Sequence, residues 1–146
     1  MGKEYLAIIE GSFTKKLKHN AFIGSRYRGS QKVTISEKER KRFLYAELTA
    51  QLELKLTDKI SLVRVRTAYG RRHQVRAQLA ALGFPLLGDT LYGAKKKTST
   101  LSNKLPKFVL HAEKITLNSV ALRELASNYL APPPNYLENL KTMLKE

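Results

Sequence analysis

Three closely spaced motifs decide the fold of this chain: YGRRHQVR at positions 69–76, GFP at 83–85 and GDTLYG at 88–93. Apolar side chains recur at helical spacing through the first of them, with Val75, Leu79 and Leu82 on one narrow stripe. Gly83, followed two positions later by a proline, supplies the stop signal. The pattern predicts a helix from about Arg72 to Leu82 that opens with a cluster of cations, which suits an anionic partner.

The whole chain is strongly basic. Its 146 residues include 27 Lys+Arg against 12 Asp+Glu, a formal net charge of +15. A charge balance of this kind is typical of nucleic-acid binders. Acidic lipid is the alternative anion, but the basic residues are scattered over predicted loops and strand ends rather than gathered on an amphipathic helix. We therefore predict nucleic acid, and not a membrane, as the partner.

Length and cysteine content bound the class of protein further. A chain of 146 residues fits one domain, positions 1–146, with a sizeable core. The absence of cysteine excludes thiolate nucleophiles, cysteine zinc ligands and disulfides. No apolar run is long enough for a membrane span or a signal segment. These features predict a cytoplasmic protein.

Alternating apolar residues predict strands in three regions. They are residues 3–11, residues 42–68, which read as two strands joined near 57–59, and residues 108–117. Arg64 and Arg66 alternate with Val63 and Val65, which predicts a half-buried strand with the arginines on the face opposite the valines.

Basic loops and a closing helix account for the rest of the pattern. Residues 15–32 are basic and turn-rich, and we expect a mobile loop or an irregular hairpin there. Residues 94–107, with lysines at 95–97, are expected to form a second flexible basic loop. Near the end of the chain, a short amphipathic helix is predicted by the spacing of Tyr136, Leu137, Leu140 and Leu144.

The ordered motifs G-R-R-H-Q-V-R, G-F-P and G-D-x-x-Y-G resemble the signature of RluA-type RNA pseudouridine synthases. The similarity extends from K-x-Y-L-A-x-x-x-G at 3–11 to L-H-A at 110–112 and A-P-x-P at 131–134. It implies an α+β fold with a mixed, mostly antiparallel sheet and a long RNA cleft. It also implies that uridine in ribosomal or transfer RNA is flipped out of the stack, attacked by an aspartate and converted to pseudouridine, without a metal or an organic cofactor.

The resemblance assigns substrate contacts to three residues. Tyr5 matches the tyrosine that packs against the flipped uracil, Arg76 matches the arginine that pairs with the catalytic aspartate, and Leu110 matches an apolar residue that lines the pocket. Without the resemblance, Tyr5 is better interpreted as an ordinary core residue, and an alternating strand makes ordinary core an equally good interpretation of Leu110. Arg76 alone would read as a salt-bridging or phosphate-binding helix residue.

Arg71, Arg72 and His73 are candidates for contacting RNA phosphate or a base edge, since arginine binds phosphate bidentately and stacks on bases. A structural hydrogen bond is the favoured interpretation of His73, because no nucleophilic serine or cysteine accompanies it. Arg72 and Arg76 would be i, i+4 neighbours on the helix, so we expect a carboxylate or a phosphate between them. We expect Asp89 to hydrogen-bond its own backbone in a turn rather than to act in catalysis.

The chain also departs from the family pattern. The family's nucleophilic aspartate lies in an H-R-L-D-x-x-T-S-G motif ahead of the K-x-Y strand, and nothing like it occurs in this sequence. Position 69 is tyrosine where the family usually has threonine, and residues 42–53 match only loosely. We therefore expect a sheet that is incomplete at its N-terminal side and a chain that is inactive alone.

Three interpretations stay open. The chain is the C-terminal portion of a pseudouridine synthase catalytic domain, a non-catalytic RNA-binding remnant, or one half of a split enzyme whose aspartate comes from a partner chain. The first is favoured. A sheet that lacks strands would expose a hydrophobic edge, so a homodimer is also expected.

Overall fold

The computed structural model describes residues 2–96, 105–117 and 128–143. Seven strands and two helices are assigned in these ranges, and a short 3-10 helix follows the first helix at Thr90–Tyr92. In chain order they are β1 Gly2–Glu10, β2 Leu17–Gly24, β3 Thr34–Ser36, β4 Leu44–Thr57, β5 Ile60–Thr67, α1 Gln74–Ala81, β6 Leu110–Thr116, β7 Asn128–Leu130 and α2 Asn135–Met143.

All seven strands belong to one sheet, in the order β3-β2-β4-β5-β1-β6-β7. Every pairing between these described strands is antiparallel. The first strand therefore lies near the centre, with β5 on one side and β6 on the other. The prediction of an α+β fold with a mostly antiparallel sheet is confirmed.

The two helices pack on opposite faces of the sheet. Side chains alternate between the faces of a strand, so Ala7 and Ile9 of β1 point to one side, and Leu6 and Ile8 point to the other. The first pair joins a buried cluster with Val75 and Leu79 of α1. The second pair joins another cluster with Leu137 and Leu140 of α2. Apolar contacts thus fix α1 against one face of the sheet and α2 against the other.

A charged network occupies part of the face on which α2 packs. Arg64 of β5 contacts carboxylates on three other strands, namely Glu4 at 2.6 Å, Glu53 at 3.0 Å and Glu113. Arg66 contacts Glu4 at 2.7 Å. Burial opposes ionisation of Glu4, but hydrogen bonds from Arg66 and Arg64 outweigh it and lower its pKa. The prediction that both arginines lie opposite the buried valines of β5 is confirmed.

Of the two structures predicted for residues 15–32, the mobile loop was wrong and the irregular hairpin is close to what is observed. The segment contains strand β2, which pairs antiparallel with β3 across the intervening turns and with β4 from Leu17 opposite Ala50 to Ile23 opposite Leu44. Turns and bends do occupy much of the stretch that follows this strand. The strand forms because its alternate side chains are buried against α1 and β4: His19, Ala21 and Ile23. The polar His19 at a buried position and the apolar Phe22 on the other face conceal this alternation in the sequence.

The helix begins two residues later than predicted. Its first residue is Gln74, and the preceding His73 has a left-handed backbone with φ 52° and ψ 20°. Few non-glycine residues adopt this conformation, which turns the chain sharply before the helix. Arg72 therefore lies ahead of the helix, and the predicted i, i+4 pair with Arg76 was wrong. Gly83, with φ 89°, ends the helix as expected.

Predictions for the other segments agree with the structure where it describes them. The two strands within residues 42–68 are β4 and β5, and the closing helix is α2. Leu144 and most of the predicted loop 94–107 lie outside the described residues. None of the helices in the described ranges is long and apolar enough to cross a membrane.

Candidate functional site

A cleft of about 260 Å³ opens where β1, β5 and β6 approach the start of α1. Its lining is mainly apolar, with several cations and polar groups on the side of α1. The lining residues are Tyr5, Thr67, Gly70, Arg71, His73, Gln74, Val75, Arg76, Phe108 and Leu110. Five of the six site residues named from sequence therefore meet in one cleft, and Arg72 does not line it.

The sheet register brings Tyr5 and Leu110 together. Tyr5 lies between Val65 of β5 and Ala112 of β6, and Leu110 pairs with Ala7 two residues further along β1. Both side chains are partly buried and pack against the core cluster beneath α1. Burial raises the pKa of the Tyr5 phenol, so the hydroxyl remains a neutral donor at physiological pH. The two residues give the cleft an aromatic and an aliphatic wall.

Arg76 is held in one orientation by Asp89. Its Nε donates to Oδ2 of Asp89 at 2.7 Å and its Nη2 donates to Oδ1 at 2.9 Å. The guanidinium carbon also lies 4.5 Å from the centre of the Phe108 ring and 5.0 Å from that of Tyr92. The hydrogen bonds with Asp89 raise the pKa of Arg76. The arginine is thus a fixed, permanently charged group at the cleft.

The expectation for Asp89 was only partly correct. The residue does lie in a turn, but its carboxylate binds Arg76 rather than its own backbone. Its side chain is completely buried. The expectation of an anion between Arg72 and Arg76 was wrong: the Asp89 carboxylate binds Arg76, whereas Arg72 donates to the backbone carbonyls of the β2–β3 connection.

His73 connects this ion pair to the 3-10 helix. Its Nε2 lies 3.3 Å from Nη1 of Arg76, and its Nδ1 lies 2.8 Å from the hydroxyl of Tyr92. Burial first, and then the charges of Arg76 and Arg72, lower the pKa of the imidazole. A neutral ring can accept from the arginine at Nε2 and donate from Nδ1 to the tyrosine. The geometry agrees with the structural role favoured for His73.

Arg71 and Arg72 point in different directions. Nε of Arg71 donates to the carbonyl of Tyr45 at 3.0 Å, which keeps the guanidinium at the cleft mouth. Nη2 of Arg72 donates to the carbonyls of Ser30 and Gln31 at 3.0 and 2.7 Å. Arg72 thereby ties the connection between β2 and β3 to the start of α1, while its side chain stays exposed.

A larger groove, of about 1140 Å³, lies on the other side of this connection. It runs between residues 26–35 and the outer side of α1 with the 3-10 helix, and it carries the cations Arg26 and Lys32. Tyr92 lines the groove, and its hydroxyl accepts a hydrogen bond from the N–H of Val33 at 3.0 Å. The groove and the cleft thus share the Tyr92–His73 contact as a common wall.

Sequence reasoning missed Gln74, Tyr92 and Phe108 as parts of the site. Gln74 is buried, with its Nε2 donating to the carbonyl of Glu47 at 2.9 Å and its Oε1 accepting from the N–H of Arg71 at 3.2 Å. Gln74 and Tyr92 stand inside the motifs that were recognised, but their contacts reach distant segments. Phe108 is the first residue of the strand predicted at 108–117, and nothing else in the sequence marked it as a site residue.

The chemistry available in the cleft is that of a binding site for a planar ring. Tyr5, Phe108 and Leu110 offer apolar surface, and Arg76 and His73 offer polar groups at one side. No carboxylate is among the residues that line it in the described part of the chain. Within the same ranges, no group of three or more His, Cys, Asp or Glu side chains is placed to hold a metal ion.

Comparison with curated proteins identifies related sequences. Over 115 residues the chain is 32% identical to an uncharacterized RNA pseudouridine synthase of Helicobacter pylori strain J99, covering 79% of this chain and 43% of that protein. Over 119 residues it is 37% identical to the uncharacterized RNA pseudouridine synthase YhcT of Bacillus subtilis, covering 77% and 35%. Ribosomal large subunit pseudouridine synthase D of Xanthomonas campestris is 28% identical, covering 99% and 44%. The chain therefore spans less than half the length of these relatives.

Solved structures show the same fold. The human RNA pseudouridylate synthase domain containing 4 protein superposes with a TM-score of 0.71 at 22% identity, over 99% of this chain and 62% of that one. No family model matches the chain. The relatives above are all named as pseudouridine synthases. The motifs at 69–76, 83–85 and 88–93 occur in the order typical of the RluA type. The chain belongs to the RluA-type RNA pseudouridine synthase family.

Proposed function

We propose that the chain is the C-terminal portion of the catalytic domain of an RNA pseudouridine synthase that acts on uridine in ribosomal or transfer RNA. The observation that carries this proposal is the meeting of Tyr5, Arg76 and Leu110 in one cleft, with Arg71 at its mouth. The motifs that place these residues are far apart in the sequence. Chance agreement of the motifs would not by itself produce a shared cleft.

The proposed role of each residue in the reaction follows from its position in the lining of the cleft. The uracil ring of a flipped nucleotide lies between Tyr5 and Leu110, which remove it from water. The reaction breaks the bond between the ribose and a ring nitrogen, turns the base and joins it again through carbon. Arg76, held by Asp89, presents its remaining N–H groups to the carboxylate of the nucleophile. Arg71 and the basic loops contact phosphates.

The nucleophilic aspartate comes from outside this chain in our proposal. The sequence has aspartate only at positions 58 and 89. Both oxygens of Asp89 are engaged by Arg76, and the side chain is fully buried. Asp58 is 92% exposed at the β4–β5 turn and is paired with Lys55. We therefore propose that the chain alone does not form pseudouridine, and that an upstream segment or a partner chain supplies the aspartate.

An RNA-binding module without catalysis is the second candidate. The large groove beside α1, with Arg26 and Lys32 in its lining, favours it, because such a groove needs no nucleophile to hold a phosphate backbone. Binding would weaken steeply with salt, and no uridine would change. A homodimer and a cytoplasmic location belong to both proposals.

The intact mass of the protein in its own cells, compared with 16.6 kDa for this chain, is the first experiment. A larger mass, together with pseudouridine formation by the purified native protein, supports the catalytic proposal. A mass of 16.6 kDa with a co-purifying chain that carries the aspartate supports the split enzyme. The same mass with salt-dependent RNA binding and no isomerisation supports the binding module. Failure of the native protein to bind structured RNA overturns all three.

A further inference from the structure

We propose that Tyr69 and Tyr45 form a platform on which an unpaired RNA base stacks, beside the cleft that receives the target uridine. This inference rests on the proposed function, since it takes RNA as the ligand. It adds a second binding position, for a nucleotide close to the target, which neither the motifs nor the relatives' names assign.

The platform consists of two exposed aromatic rings in contact. Tyr69 is 42% exposed and Tyr45 is 36% exposed. Their ring centroids lie 6.0 Å apart at an interplanar angle of 70°, and the Phe22 ring also contacts that of Tyr45, with the centroids 5.7 Å apart. Edge-to-face packing of this kind holds the rings in place. Aromatic surface that is held rigid and left partly open costs little entropy when a flat ligand stacks on it.

Arg71 joins the platform to the cleft. Its guanidinium carbon lies 5.0 Å from the centre of the Tyr69 ring, and its Nε is fixed by the carbonyl of Tyr45. The same side chain lines the cleft. Tyr69 and Arg71 are separated only by Gly70, so a base on the platform and a base in the cleft would belong to nucleotides close together in the RNA.

Two cations beside Gly70 suit the phosphate of a nucleotide, while the carboxylate of Glu47 accepts a hydrogen bond from the Tyr45 hydroxyl at 3.1 Å. A Cβ placed on Gly70 would lie 3.4 Å from Nζ of Lys3, so a second cation stands beside the glycine between the two binding positions. A phosphate that links the two nucleotides would therefore meet Lys3 and Arg71. Alternating aromatic rings and cations are the usual means by which proteins hold single-stranded RNA. An apolar protein segment would have no use for the two cations.

The test uses the full 146-residue chain and a short single-stranded RNA with one uridine. A second set of RNAs replaces one nucleotide beside the uridine, on either side, by an abasic ribose. Dissociation constants are measured by fluorescence anisotropy over a series of salt concentrations. The variants are Tyr69→Ala, Tyr69→Phe and Arg71→Ala. Tyr129→Ala is the matched control, because Tyr129 is 44% exposed on the distant strand β7.

Tyr69→Ala is expected to weaken binding of the intact RNA about 5- to 150-fold, the usual range for loss of one stacked base. Tyr69→Phe and Tyr129→Ala should bind like the unchanged chain. The salt dependence of RNA binding by Tyr69→Ala should equal that of the unchanged chain. For Arg71→Ala, the slope of the logarithm of the binding constant against the logarithm of the salt concentration should be shallower by about 1. On one side of the uridine, the abasic ribose should weaken binding to the unchanged chain and have no further effect on Tyr69→Ala.

Three results overturn the platform and leave RNA binding intact. They are equal affinities for Tyr69→Ala and the unchanged chain, equal losses for Tyr69→Ala and Tyr129→Ala, or abasic effects that simply add to the effect of Tyr69→Ala. If the unchanged chain binds none of these RNAs, the proposed RNA-binding function fails and the platform fails with it.

Discussion

Both carboxylate oxygens of Asp89 accept hydrogen bonds from Arg76, at 2.7 and 2.9 Å, and the aspartate side chain is completely buried. The two residues are 13 positions apart, on α1 and in the turn before the 3-10 helix. The ion pair therefore fastens that turn to the helix and sets the direction of the only arginine that lies between the Tyr92 and Phe108 rings in the described part of the chain.

Asp89→Asn tests the contribution of this pair to stability. The amide keeps the shape of the carboxylate but leaves the Arg76 charge, whose side chain is 13% exposed, without its counter-ion. We expect the free energy of unfolding to fall by about 2–3 kcal/mol, measured by urea denaturation. Asp58→Asn is the matched control and should leave the denaturation midpoint unchanged, because Asp58 is 92% exposed. Equal midpoints for the two variants would contradict the structural role of Asp89.

His73 predicts how stability depends on pH. Burial and the neighbouring arginines lower its pKa from 6.5 in the folded chain. The unfolded chain therefore binds a proton first as the pH falls, so the folded state is most favoured above pH 6.5 and loses stability below it. We expect the unfolding free energy of His73→Asn to fall less than that of the unchanged chain between pH 7.5 and pH 5.5. Parallel curves for the two proteins would show that His73 is not the group responsible.

Replacement of Arg72 should affect both the local structure and the binding of RNA. Its Nη2 holds the carbonyls of Ser30 and Gln31, so Arg72→Ala should loosen the connection between β2 and β3. Chymotrypsin should then cleave after the exposed Tyr27 about fivefold faster, corresponding to about 1 kcal/mol of local opening. RNA affinity should fall with a shallower salt slope. Arg28→Ala removes a charge from the same connection and should not accelerate cleavage. Unchanged RNA binding by Arg72→Ala would reject its assignment as a phosphate contact.

Replacement of Arg64 should lower the free energy of unfolding by an amount that depends on pH. Removal of its guanidinium leaves Glu4, Glu53 and Glu113 close together on one face of the sheet. Arg64→Ala should lower the unfolding free energy by about 2–3 kcal/mol at pH 7, because the Arg64 side chain is only 18% exposed. Arg66, on the same strand and face, is 57% exposed, and Arg66→Ala should cost at most about 1 kcal/mol.

The cost of Arg64→Ala should shrink in acid. The pKa of Glu4 is lowered from 4.5 in the folded chain, so the stability that this carboxylate contributes is present above pH 4.5 and is lost below it. Denaturation of Arg64→Ala and of the unchanged chain at pH 7 and pH 3.5 checks the sign. A difference that stays constant or grows in acid would exclude the carboxylates as the cause.

The sequence predicted those elements whose apolar pattern is regular. β4 and β5 were recognised because Leu, Ile and Val alternate with polar residues. β2 was missed, since one of its buried positions is His19, which is satisfied by Glu37 and by Gln78 rather than by apolar neighbours. A buried histidine of this kind depends on segments that are remote in the sequence, and local alternation does not reveal it.

The same distinction applies to the candidate site. Motif order led to Tyr5, Arg76 and Leu110, and the structure places these three in one cleft. The start of α1 was misplaced because the left-handed backbone before the helix is adopted by His73. A glycine at that position would have indicated such a turn, but a histidine does not. The partner of Arg76 was missed because Asp89 stands in a motif that also predicts a simple turn.

The central place of β1 in the sheet governs the order in which the chain can fold. β2, β4 and β5 follow one another closely in sequence and can pair as soon as they are made. β1 is made before them, but its partners are β5, 50 to 64 residues later in the paired positions, and β6, 103 to 114 residues later. Such distant contacts close slowly, so we expect this chain to fold slowly for its size. On the ribosome, β1 would lack its second neighbour until residues near position 116 have emerged, with one edge unpaired in the meantime.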